Sequence, residues 1–101
     1  MPTPADVILA RAGGTTITVT NVGAGTVATI AAGNANRRST IIHNASGVKM
    51  WVRLASGATL ANASFPIDAG ETWEMPLHGY TGIITAIWEG ADAGNVRVTE
   101  F

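Results

Sequence analysis

The sequence contains no cysteine, which excludes disulfide frameworks and thiolate metal centres. Charge is scarce too: 13% of residues are Asp, Glu, Lys or Arg, about half the usual share. Six Lys and Arg stand against seven Asp and Glu, for a formal net charge of −1. Binding to phosphate backbones is driven by a basic excess, so no nucleic-acid partner is expected. Long apolar runs are missing as well. No segment approaches the roughly 18 apolar residues of a membrane span. The opening MPTPADVILARAGG has neither a basic n-region nor an apolar run long enough for a signal peptide. Neither a membrane nor export is expected.

What is present suits one small domain. At 101 residues the chain can bury roughly two-thirds of its unfolded surface in a single core. A charge-poor surface resists association weakly, and it makes more sense if other protein covers part of it. Residues 1–14 read either as an extended arm or as a short helix, with Thr3 as cap, Pro4 in the first turn and Gly13–Gly14 as its stop.

From residue 15 onward the apolar period is two. TTITVT places Ile17 and Val19 on one face and Thr16, Thr18 and Thr20 on the other. GAG then breaks the strand and TVATIAA follows, so residues 15–32 read as a hairpin. RRSTIIHN, VKMWVRL, ETWEMPL, GIITAIW and NVRVTEF supply further strands, and the turn-rich ASGATLANASFPIDAG has room for a short one near Thr59. About eight short antiparallel strands at roughly 8–12-residue spacing predict an all-β fold, a single jelly-roll-like β-sandwich over residues 15–101. Two strands break the rule of one apolar face: in STIIHN the neighbours Ile41 and Ile42 are both apolar, and GIITAIW is apolar on both sides. In GIITAIW, Ile83 and Ile87 share a face while Ile84, Ala86 and Trp88 form an apolar row on the other. Taking Ile83 and Ile87 as the inner pair makes the second row an outward interface, unless a loop or the N-terminal arm covers it.

Candidate sites are few. Arg37 and Arg38 are adjacent, so on a strand they point to opposite faces and cannot both grip one phosphate. No Lys-Ser/Thr completes a phosphate loop after Gly33. The pair therefore reads as structural or interface fasteners, with Glu71, Glu74 and Glu100 as candidate carboxylates. His43 and His78, the two histidines, show no metal-ligand spacing, and no metal or cofactor is expected. No nucleophile elbow or paired carboxylates appear, so the chain is not expected to be an enzyme. Trp51, Trp73 and Trp88 remain. Tryptophan on a sandwich packs cores and subunit interfaces. It also stacks on sugar rings, which makes Trp51, flanked by Lys49 and Arg53, and Trp73 candidates for glycan stacking.

The ordered set NRRS (Asn36 to Ser39) with Asn44 closing its strand, YTGIITAI (Tyr80 to Ile87) and NVRVTE (Asn95 to Glu100) resembles small structural proteins of tailed bacteriophages. The likeness covers residues 36–101. It implies a non-enzymatic virion component, made in the host cytoplasm: a capsid decoration or cement protein, or a head-fibre, neck or tail accessory. Such a protein would bind the major capsid or another virion protein as a homo-oligomer, often a trimer. Its interface would draw on Ile84, Ala86, Trp88, Arg37 and Arg38. The alternative is a carbohydrate-binding module that attaches to a host surface through its tryptophans.

Overall fold

The computed structural model describes residues 15–75, 79–91 and 94–101. The N-terminal arm or helix expected over residues 1–14 lies outside them. Eight strands run in chain order: β1 (Thr15–Thr20), β2 (Val27–Ala31), β3 (Thr40–Asn44), β4 (Met50–Arg53), β5 (Phe65–Ile67), β6 (Thr72–Glu74), β7 (Ile84–Trp88) and β8 (Asn95–Glu100). They form two four-stranded sheets, ordered β1-β8-β3-β6 and β2-β7-β4-β5.

The pairing explains this order. β1 pairs with β8, β2 with β7, β3 with β6 and β4 with β5, all antiparallel. The chain is thus one long antiparallel hairpin, rolled so that the added seams β3–β8 and β4–β7 join its turns into two sheets. That is the topology of a jelly roll, and the all-β sandwich expected from the strand spacing is what forms.

The local hairpin expected over residues 15–32 does not form, because β1 and β2 lie in different sheets. The connection between them is anchored away from such a pairing. Asn21 donates through Nδ2 to the Gly90 carbonyl (2.9 Å) and accepts from the Gly23 amide (2.7 Å). Gly23 and Gly25 take positive φ of 110° and 70°, and the Gly25 amide donates to the Trp88 carbonyl (3.2 Å). Only glycine adopts such angles without strain, and they swing the chain across to β7. The short strand expected near Thr59 is likewise absent; the strand of that connection is Phe65–Ile67.

The core is the inner faces of both sheets. Ile42, Val96 and Val98 come from one sheet, and Ile30, Met50, Val52, Ile84, Ala86 and Trp88 from the other. Asn44 is one of several polar residues buried with this core. Asn44 donates to the carbonyls of Val48 (2.8 Å) and Ile67 (2.9 Å) and accepts from the amide and hydroxyl of Ser46. It closes the β3–β4 turn with its side-chain bonds satisfied, as a buried amide must be.

The two long sides of the sandwich differ. At one, Phe65 of β5 stacks on Trp73 of β6 across the sheets, with ring centroids 4.3 Å apart at 27°. At the other, the edge strands β1 and β2 leave Ile17 42% and Val27 45% exposed.

Candidate functional site

The arginine pair separates in the structure. The strand begins only at Thr40, and the Arg37 amide closes a turn on the Asn34 carbonyl (3.0 Å), so alternation does not reach back to residue 37. Arg37 is buried and fully engaged. Its Nε and Nη2 meet Glu100 Oε1 at 2.8 and 2.6 Å, Nη2 also donates to the Ala32 carbonyl (2.6 Å), and Nη1 donates to the carbonyls of Tyr80 (3.2 Å) and Gly82 (2.8 Å). A planar fork with five donors can join three chain segments at once, which lysine cannot. Among the three carboxylates weighed from sequence, Glu100 is the partner. Burial leaves Arg37 no surface to offer as an interface residue. Arg38 is exposed, with its amide bonded to the Phe101 carbonyl (2.7 Å) and no carboxylate partner among the described residues.

The clamp continues into the β7 approach. Tyr80 donates its hydroxyl to the Ile83 carbonyl (2.8 Å), which folds its ring over Gly82. A Cβ at Gly82 would collide with that ring, so any larger residue there has to displace Tyr80. This part of the YTGIITAI stretch is a folded corner, built to hold Arg37.

The interface row read from sequence is reversed. Ile84, Ala86 and Trp88 have no exposure and point into the core, facing the same way as their cross-strand neighbours Val52 and Met50. β7 is a central strand, and its wholly apolar row takes the inner face while the row carrying Thr85 turns outward. The outer row is largely covered by the chain itself. Thr85 Oγ1 donates to the Ala55 carbonyl (2.7 Å) and accepts from the Ala58 amide (3.1 Å), so the 54–63 loop packs over it. Ile87 is 5% exposed.

The tryptophans also divide. Trp88 is core, with its indole N–H buried and unpartnered among the described residues. Trp73 faces inward beside Ile42 and closes the sandwich against Phe65, which occupies one ring face and leaves it poorly placed to stack on a sugar. Trp51 alone lies on an outer face. Its Nε1 donates to Glu89 Oε1 (2.9 Å), and Lys49 Nζ sits 5.7 Å from the ring centroid while pairing with Asp68 (3.4 Å).

Trp51 belongs to a feature that sequence reasoning missed. The registers Val27↔Ile87, Ile87↔Trp51 and Trp51↔Pro66 set four apolar residues in one row across the outer face of the β2-β7-β4-β5 sheet. Lys49, Glu89 and Asp68 flank the row on one side, and Thr29, Thr85 and Arg53 on the other. Each residue sits alone on its own strand, so only the non-local strand order reveals the row. The outer face of the opposite sheet is mostly polar, with Thr16 bonded to Thr99 and His43 Nδ1 to Thr72, each at 2.8 Å.

His78 lies outside the described residues. Among the described residues no group of three or more His, Asp or Glu side chains could hold a metal, and no helix is long and apolar enough to cross a membrane. No family model, curated protein or solved structure matches the chain.

Proposed function

We propose that this protein is a non-enzymatic structural component of a tailed-phage virion, a decoration or neck or tail accessory protein that binds the shell as an oligomer. The observation that supports this reading is the Val27–Ile87–Trp51–Pro66 row. It is an apolar row with a charged flank, open at Val27 and Pro66, half-exposed at Trp51 and filled in between by the buried Ile87, and an apolar centre with a charged rim suits a protein-docking face. Its mechanism is mechanical: many copies, each weakly held, bridge neighbouring shell subunits through that face. Jelly rolls serve in capsids and in lectins alike, so the fold by itself does not choose.

Trp51 keeps a glycan reading in view, since its ring is half-exposed with Glu89, Lys49 and Asp68 beside it. Two parallel measurements separate the readings: co-sedimentation of the pure protein with shells of the parent particle, and a glycan array. Shell binding that Trp51→Glu abolishes, with unchanged thermal unfolding and no glycan signal, is the expected result. A specific glycan signal lost in the same variant, with no shell binding, would overturn the structural reading.

A further inference from the structure

We propose that β1 is a self-pairing edge: two copies of this chain join through their β1 strands, antiparallel about a two-fold axis at Thr18, to make one continuous eight-stranded sheet. This inference rests on edge geometry alone and is independent of the virion reading.

The phase of the β1–β8 ladder is fixed by one bond, from the Asn21 amide to the Gly94 carbonyl (3.1 Å). Bonded and non-bonded pairs alternate in an antiparallel ladder. Thr20↔Asn95, Thr18↔Arg97 and Thr16↔Thr99 are therefore the non-bonded pairs, while Val19↔Val96 and Ile17↔Val98 are bonded. Ile17 and Val19 aim their backbone groups at β8. Thr16, Thr18 and Thr20 aim theirs away from it, towards the side where no strand follows among the described residues.

Those free groups are complementary to themselves. With the axis at Thr18, Thr18 meets Thr18 of the second copy and Thr16 meets Thr20. Each of the three pairs forms two bonds, so six bonds use every outward N–H and C=O of both strands. The same register sets Ile17 opposite Val19 of the second copy on the inner face, covering an inward side chain that is 42% exposed in the single chain. The outer face becomes a threonine ladder. Sliding the register by one residue would match free backbone groups with occupied ones and turn the two cores to opposite sides.

The other three sheet edges carry features that blunt pairing. β2 has a register irregularity between Thr29 and Ala31. β5 is three residues long and contains Pro66, and β6 is three residues long and carries Glu74. Short strands, prolines, bulges and charges are the usual protections of an edge. β1 has six residues, TTITVT, with none of them. Because it is uncharged, two copies meet with no like charges opposed, and a second copy is the occupant its register fits.

The test is sedimentation velocity of the full chain over a concentration series of ~5 to ~500 µM, since association follows mass action. The native protein should shift from monomer to dimer. Thr18→Lys sets two ammonium groups opposite each other at the axis and should remain monomeric throughout. Thr18→Pro removes an outward N–H and no β8 bond, and it should do the same if the lysine variant fails to fold. Amide exchange gives an independent readout: Thr16, Thr18 and Thr20 should be protected only in the dimer, with Ile17 and Val19 protected in both states. A concentration-independent monomer, a trimer, or a Thr18→Lys dimer would overturn the proposal. So would protection of the three threonine amides in the monomer, which would mean that the chain covers its own edge.

Discussion

Arg37→Ala is the substitution for which the structure makes the largest commitment. The guanidinium has no exposure and Glu100 only 24%, so the variant strands a half-buried carboxylate as well as the carbonyls of Ala32, Tyr80 and Gly82. Breaking one side of a buried ion pair costs about 3–5 kcal/mol. Partial access of water to Glu100 places the expected loss near the lower end, about 3 kcal/mol. A domain of this size is stabilised by about 5–15 kcal/mol in total. At about 4–8 °C per kcal/mol for domains near this length, the thermal midpoint should fall by about 12–24 °C. Urea unfolding with an unchanged slope would show that the loss is one of stability rather than of compactness. Arg37→Lys should recover little, because one ammonium cannot reach all four acceptors. A loss below about 1 kcal/mol for Arg37→Ala would refute the clamp, since that is the range of an exposed ion pair.

Arg38→Ala, one position on and exposed, should change stability by no more than about 0.5 kcal/mol in the same melts. Ala86→Glu should unfold the protein rather than disperse an assembly, because it buries an unpaired carboxylate between Val52 and Ala28; a folded variant by circular dichroism would contradict the core placement. Acrylamide quenching of single-tryptophan variants should find Trp51 accessible and Trp88 shielded, and equal quenching of the two would contradict the strand register. Gly82→Ala should cost about 1–3 kcal/mol by overpacking Tyr80, and a neutral result in chemical denaturation would show that the corner relaxes freely.

Strand content was legible because it depends on local alternation. VKMWVRL separates Met50 and Val52 from Trp51 and Arg53, and those pairs do face opposite ways. Strand partners were not legible. A jelly roll pairs β1 with β8, about 80 residues away, and nothing in TTITVTNVGAGTVATIAA distinguishes two paired strands from two strands bound for different sheets. The deciding features were non-local: an Asn21 side chain reaching Gly90, and a Gly25 amide reaching Trp88. For β7 the alternation was informative but read the wrong way round. Thr85 marks the outer row, so Ile84, Ala86 and Trp88 had to be the inner one, and the apolar Ile87 opposite them is explained by its neighbours Val27 and Trp51 on adjoining strands.

The arginines show why a site can be visible as residues and still be placed wrongly. Extending the β3 alternation backwards puts Arg38 on the inner side with Thr40, Ile42 and Asn44, and Arg37 outside with Ile41 and His43. The opposite is observed, because residues before Thr40 follow a turn closed on Asn34 instead of a pleat. Once the pleat is lost, the side chain that goes inside is the one with acceptors to meet. Three carbonyls and Glu100 converge on the space that Arg37 fills, and they arrive from segments 32, 80–82 and 100, which are brought together only by the rolled topology. A buried guanidinium is tolerable only where its donors are used. Arg38 meets no such convergence and stays in solvent. The same rolled topology leaves β1 at the end of its sheet's strand order, so the strand that read from sequence as half of a hairpin is an edge strand among the described residues.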